Sequence, residues 1–213
     1  MGKKPAPPFL ITLDFDGTLF GSPEKIAAIP ELKGIASEQF LTILDEYRSQ
    51  GEFLPHSFCE FLCEKKLLNR REANRVRGHF LELQKNAKKY LYRDALLFLK
   101  SFSKDSLIII SRAHPDWQTS TIRSSGLYKK VSRVFIVQGD NGKRTVLEAL
   151  GADGTLIFHF DDDPGDIARI KGIKGILPVF VRRKHRRERY GFETLLDALE
   201  VVKPLLANAL DLR

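Results

Sequence analysis

The sequence predicts an α/β protein: an open sheet of parallel strands with helices on both faces, plus a helical insert. Three observations predict it. Short apolar runs recur without alternation, as in strands buried on both faces of a parallel sheet. Helical patterns separate these runs, several with a glycine just past the last turn. One stretch of about seventy residues, between the first run and the second, has helical spacing alone.

The runs are Phe9 to Leu13, Leu107 to Ile110, Val134 to Val137, Leu156 to Phe160 and Val179 to Val181. Pro115 to Ser125 reads as a helix closed by Gly126. Lys143 to Leu150 reads as one closed by Gly151, and Pro164 to Lys171 as one ending near Gly172. Phe192 to Leu206 carries Leu195, Leu196, Leu199, Val202 and Leu206 as an amphipathic helix, which Pro204 should bend or end.

The insert runs from Gly21 to Arg93. Its apolar residues recur at helical spacing: Phe40, Ile43, Leu44 and Tyr47; Phe58, Phe61 and Leu62; Val76, Phe80 and Leu83. Pro55 suits the first position of the second of these helices. The expected organisation is a sheet unit of residues 1–20 and 94–213, with 21–93 as a separate helical unit.

A chain of 213 residues can bury one substantial core and a small accessory one. No apolar stretch is long enough to cross a bilayer, and Phe9 to Leu13 is too short for a signal-peptide core. A cytoplasmic protein without a membrane partner is therefore expected. The two cysteines, Cys59 and Cys63, lie four apart in a helix and read as small apolar residues. They are too few for a disulfide framework, and no other cysteine supports a zinc site. The net charge of +8 favours acidic ligands, phosphate esters and nucleic acids alike.

Ligands of open α/β sheets bind beyond the carboxyl ends of the strands. After the first run stand Asp14, Phe15, Asp16, Gly17 and Thr18. After the second come Ser111 and Arg112. After the fourth come Asp161, Asp162, Asp163 and, one turn on, Asp166. Lys143 opens the helix before the fourth. Clustered carboxylates repel one another, and a hard cation with oxygen ligands, such as Mg²⁺, relieves that repulsion. A cation beside a lysine suits an anionic substrate, above all a phosphoryl group.

These residues, taken in order, resemble the four motifs of the haloacid dehalogenase-like hydrolase superfamily. DFDGT follows a buried strand, a serine follows the second strand, a lysine opens a helix, and DDDPGD follows a later strand. The resemblance spans Phe9 to Val181. It implies a Rossmann-like core with strand order 5-4-1-2-3 and a helical cap where the insert lies. It also implies chemistry. Asp14 would be the nucleophile and form an aspartyl-phosphate. Asp16 would protonate the leaving oxygen and then take the proton of the hydrolytic water. Dehalogenases of the family lack an acid at that second position, so Asp16 implies phosphate chemistry. Thr18 would help hold Asp16 and the loop. Ser111 and the backbone N–H of Arg112 would bind a phosphoryl oxygen, and Lys143 would neutralise charge. Mg²⁺ would sit on Asp14, on the Asp16 backbone carbonyl and on Asp162, with Asp163 and Asp166 in support. Asp161 and Asp163 depart from the family pattern, so the choice of metal ligand among the three consecutive aspartates stays open.

Other residues have plainer readings. Arg144 competes with Lys143 at the helix start, whereas Lys130 precedes the third strand. His159 reads as a core residue, Trp117 as helix packing and His114 as a loop cap. Arg182 to Arg189 is a basic run that reads as a solvated loop, although it can also receive nucleic acid or another polyanion. The leading expectation is a phosphatase acting on a small phosphorylated substrate. The alternatives are a sugar-phosphate mutase, a nucleotide- or nucleic-acid-directed phosphatase, and a binding protein that uses the basic surface.

Overall fold

β1 (Phe9–Leu13) lies at the centre of a five-stranded parallel sheet. In this computed structural model residues 7–21, 26, 29–33, 35, 37–183 and 190–211 are described. The other strands are β2 (Leu107–Arg112), β3 (Arg133–Val137), β4 (Leu156–Asp161) and β5 (Ile176–Phe180), in the order β3-β2-β1-β4-β5. This is the expected order read from the opposite edge. β1 pairs with β2 through Ile11 and Leu107 and with β4 through Phe9 and Leu156. The ladder reaches one residue past β1, where Asp14 N–H donates to Phe160 C=O at 2.9 Å. The nucleophile candidate is thus held by the sheet itself. From β1 the chain order runs outward through β2 and β3 on one side and through β4 and β5 on the other, and this reversal of direction opens a crevice at the strand ends.

Eight α-helices are described: α1 (Ser37–Arg48), α2 (Pro55–Glu64), α3 (Arg70–Lys85), α4 (Arg93–Lys100), α5 (Pro115–Ser125), α6 (Gly142–Gly151), α7 (Pro164–Ile170) and α8 (Leu195–Asp211). Alternation along β1 sorts them. Ile11 and Leu13 pack with Phe98 of α4, Ile122 of α5 and Leu199 of α8 on one face. Leu10 packs with Leu147 of α6 and Ile170 of α7 on the other. Each fully buried Leu, Ile or Phe contributes about 1.5–3 kcal/mol, which makes these two faces the main source of stability.

The insert builds a core of its own. Phe40, Ile43 and Leu44 of α1, Phe58 and Leu62 of α2, and Val76 and Phe80 of α3 form a third cluster. Pro55 does open α2, and Asn69 with Glu72 forms a reciprocal capping box at α3. The two ends of the insert run side by side: Gly21 N–H donates to Tyr90 C=O and Tyr92 N–H to Leu19 C=O, each at 3.0 Å.

Four expectations change. Gly151 is the last residue of α6 rather than its left-handed cap, and Ala152 follows it in right-handed geometry. By contrast, Gly126 at φ 80 does close α5. α8 continues through Pro204 to Asp211. β5 begins at Ile176 and contains Pro178, which a strand paired on one side only tolerates. Ser111 and Arg112 lie inside β2, and Asp161 inside β4, rather than after those strands. Of the basic run, Arg182 and Arg183 are described, and 184–189 lie outside the described residues.

Candidate active site

The turn after β1 is closed by its own backbone. Gly17 N–H donates to Phe20 C=O at 2.7 Å, and Leu19 and Phe20 N–H both donate to Phe15 C=O at 2.9 Å. Gly17 sits at φ 81, and a Cβ there would lie 2.1 Å from Asp162 Oδ2. Only glycine meets both demands. The loop after β1 and the loop after β4 therefore touch at this point.

Lys143, in the first turn of α6, is buried and reaches three carboxylates. Its Nζ lies 2.8 Å from Asp14 Oδ1, 2.7 Å from Asp161 Oδ2 and 2.9 Å from Asp166 Oδ2. Arg144 is exposed and pairs with Glu148, so the competition at this helix start is resolved in favour of Lys143 as the inward residue. Burial works to lower the lysine pKa, but the three carboxylates overcome it and hold the ammonium well above its ordinary value. Asp14 is held well above the carboxylate range by burial, with Asp161 and Asp162 adding repulsion that Lys143 only partly offsets. Asp161 goes the other way: burial opposes ionisation, but Lys143 and a hydrogen bond from His159 prevail and hold it below the carboxylate range.

His159 is more than a core residue. Its Nε2 lies 3.1 Å from Asp161 Oδ2, and its Nδ1 lies 2.9 Å from Thr12 Oγ1 on β1. A buried polar chain thus runs Thr12–His159–Asp161–Lys143–Asp14. Asp161 Oδ1 meanwhile accepts from Asp163 N–H at 2.9 Å. Both oxygens of Asp161 are engaged, one of them by Lys143 and His159.

Asp162 accepts from Thr18 Oγ1 at 3.4 Å, so the threonine hydroxyl meets Asp162 rather than Asp16. Ligand oxygens of Asp14, Asp161 and Asp162 lie within 4.8 Å of one another. Three hard oxygen donors so placed, one of them held above its ordinary pKa, form a set that a hard cation fits. Asp163 caps α7, accepting from Gly165 N–H at 2.7 Å and from Asp166 N–H at 3.3 Å. Asp166 is buried between Lys143 and Arg169. The Arg112 guanidinium is shared among Asp140 at 2.6 Å, Asp163 at 3.5 Å and Asp166 at 3.7 Å.

Two residues at the site carry no motif signal. Gln118 of α5 is buried, and its Nε2 donates to Asp16 Oδ2 at 2.5 Å and to Ser111 Oγ at 2.8 Å. It joins the second motif aspartate to the serine. Arg183, expected in a solvated run, has a side chain only 11% exposed. Its guanidinium donates to the Gly17 and Thr18 carbonyls, pairs with Asp94 at 2.8 Å and lies over the Tyr92 ring at 4.0 Å. No local pattern announces Arg183. Gln118 was readable only as a polar residue on the inward face of α5.

Solved structures share the architecture. One is a haloacid dehalogenase-like family hydrolase from Xanthomonas campestris, at TM-score 0.65 and 16% identity over 96% of this chain and 94% of that one. The chain has the fold of the haloacid dehalogenase-like hydrolases. An L-2-haloacid dehalogenase from Xanthobacter autotrophicus aligns at TM-score 0.63 and 16% identity, covering 92% and 98% of the two chains. A predicted phosphoglycolate phosphatase from Haemophilus somnus aligns at TM-score 0.59 and 15% identity, covering 92% and 99%. No family model and no curated protein sequence matches the chain. Within the haloacid dehalogenase-like fold, the substrate must be argued from the site, since a fold hosts many chemistries.

No described helix is long and apolar enough to cross a membrane.

Proposed function

We propose that the protein is a Mg²⁺-dependent phosphatase that hydrolyses a phosphomonoester through an aspartyl-phosphate on Asp14. The observation that carries this reading is the carboxylate of Asp16, two residues past the nucleophile and held by Gln118 beside Ser111. A leaving alkoxide needs a proton and a leaving halide does not.

An Asp14 carboxylate oxygen attacks phosphorus, and the bond from phosphorus to the ester oxygen breaks. Asp16, protonated at this stage, gives its proton to the departing oxygen. Asp16 then takes a proton from water as that water attacks the aspartyl-phosphate. The bond from phosphorus to Asp14 breaks, inorganic phosphate leaves and both aspartates return to their starting forms. Ser111 and the Arg112 backbone N–H hold a phosphoryl oxygen. Lys143 favours the charged form of Asp14 against part of the cost of burial, aims its carboxylate, and stabilises charge on the transferring group.

Asp14, Asp162 and the Asp16 backbone carbonyl would hold the Mg²⁺, because both Asp161 oxygens already serve Lys143, His159 and the Asp163 amide. The ion supplies neutralisation of the phosphoryl oxygens when bound. Asp163 and Asp166 support the set, one as the cap of α7 and the other as a partner of Lys143 and Arg169. Residues 21–93 act as the cap over this centre, and residues 1–20 and 94–213 as the catalytic core. The cavity above Asp14 is lined from both parts, which supports that division.

The test is turnover of phenyl phosphate with and without Mg²⁺, in the wild type and in Asp14→Asn. Phosphate release that needs both the ion and Asp14 supports the proposal. Chloride release from a 2-chloro acid, without phosphate release from any ester, would replace it with dehalogenation.

A further inference from the structure

The cavity over Asp14 holds about 1320 Å³, far more than a phosphoryl group needs. Its floor is the charged centre: Asp14, Asp16, Lys143 and the aspartates after β4. Its other walls differ sharply in character. The insert contributes Ile35, Phe40, Leu44, Phe53 and Phe80, and α5 contributes Trp117. Phe80 and Trp117 meet edge to face with centroids 6.3 Å apart, so the apolar wall continues from the insert to the core.

The charges on the insert's side are few. Among the described residues it lends the cavity one cation, Lys33, and two carboxylates, Asp45 and Glu52. The insert's many other basic residues, Arg70, Arg71, Arg75, Arg77, Lys85, Lys88 and Lys89, do not line it. Arg75 is instead paired with Glu31 at 2.6 Å. On the core side, Arg112 lines the cavity but already faces three aspartates. Among the described residues, a second anionic group on a substrate would therefore meet more carboxylates than cations. Sugar hydroxyls placed against the partly exposed Ile35, Phe53 and Trp117 would lose water without gaining partners from them. An apolar group placed there gains the full burial term.

Building on the phosphatase reading, we propose that the leaving group is a bulky, largely apolar alcohol or phenol that carries no second negative charge. The cap of this chain selects by apolar burial. Arg70, Arg71, Arg75, Arg77, Lys85, Lys88 and Lys89, which do not line the cavity, do not enter recognition of the leaving group.

Matched substrates test this. Phenyl phosphate and 2-naphthyl phosphate have leaving groups of similar acidity, so they differ mainly in apolar area, and 4-carboxyphenyl phosphate adds a charge. The expected kcat/KM for 2-naphthyl phosphate exceeds that for phenyl phosphate by about tenfold, the scale set by burying one more fused ring. The carboxylated ester falls below phenyl phosphate. In Phe53→Ala the naphthyl preference shrinks to about twofold or less, and in Phe53→Leu it largely survives, because part of the apolar wall is restored. Urea unfolding of both variants checks that they remain folded. Equal kcat/KM for the aryl pair, or a preference for the carboxylated ester, overturns the proposal.

If no ester turns over, the phosphatase reading fails, and binding decides the inference separately. Calorimetry with benzylphosphonate and 2-naphthylmethylphosphonate should then show tighter binding of the larger ligand by a similar factor. Equal affinities overturn the inference.

Discussion

Gly17 and Asp162 are in contact across the site. A methyl group at Gly17 would lie 2.1 Å from the Asp162 carboxylate, and Gly17 itself stands at φ 81. The two loops that carry the acidic centre are spaced by the absence of one side chain. Gly17→Ala should destabilise the protein by about 1–2 kcal/mol from backbone conformation alone. It should also displace Asp162. Urea unfolding measures the first effect, and Mg²⁺ titration by calorimetry the second. Unchanged stability and unchanged affinity would show that the loops yield freely.

Arg183 ties four pieces of the molecule together: the Gly17–Thr18 carbonyls, Asp94, the Tyr92 ring and its own loop after β5. Asp94 also accepts from Leu195 N–H at 2.8 Å, at the start of α8. Arg183 should therefore act as a positioning residue for the loop that bears Asp16. Arg183→Ala is expected to lower kcat by about 10–100-fold with a smaller change in KM. Arg183→Lys should recover little, since a point charge cannot serve carbonyls, carboxylate and ring at once. Wild-type kcat in the lysine variant would remove this role.

Lys143 is the ammonium that three buried carboxylates share, so Lys143→Met takes that cation from Asp14 and Asp161 and leaves Asp166 to Arg169 and Arg112. The cost at neutral pH should be about 3–5 kcal/mol, the usual scale for breaking a buried ionic set. The sign with pH follows from the raised lysine pKa. Its stabilisation is present in full below the ordinary lysine value and fades as pH rises through the higher folded value. Denaturant unfolding of metal-free protein should show a steady gap between wild type and variant from neutral pH to about pH 10. A gap that closes well below that would contradict the pairing.

Asp16→Asn should separate substrates by leaving group. Loss of a general acid typically costs 10²–10⁴-fold, about the upper value for a poor leaving group and much less for a good one. An alkyl phosphate should suffer far more than 4-nitrophenyl phosphate, as read from steady-state kcat. Equal losses would mean that Asp16 does not protonate the leaving oxygen.

Much of the fold and the site was legible in the sequence because local physics fixed it. β1 is apolar at every position but Thr12, and its observed bounds match the run. Parallel strands buried on both faces leave that signature. Lys143 and the aspartates after β4 follow from order and strand ends. β5 was partly hidden because Pro178 and the exposed Leu177 break its pattern at the sheet edge. Pro204 did not stop α8, since packing of Leu199, Val202 and Leu206 outweighs one lost hydrogen bond. Arg183 and Gly17 lie 166 residues apart in the chain, and no local pattern reports such a contact. His159 had a signal: it stands two residues before Asp161 on one strand, so both side chains share a face.

In the proposed reaction Asp14 receives the phosphoryl group. The direct measurement uses 4-nitrophenyl phosphate carrying radiolabelled phosphate, whose good leaving group has little need of the Asp16 proton, with Mg²⁺ and with Asp16→Asn to slow hydrolysis of the intermediate. The protein is quenched in acid and digested, and the labelled peptide is identified by mass spectrometry. Label is expected on Asp14 and should disappear when Mg²⁺ is withheld. Phosphate released from the ester at the same rate with no label on the protein, or label on another residue, would contradict it.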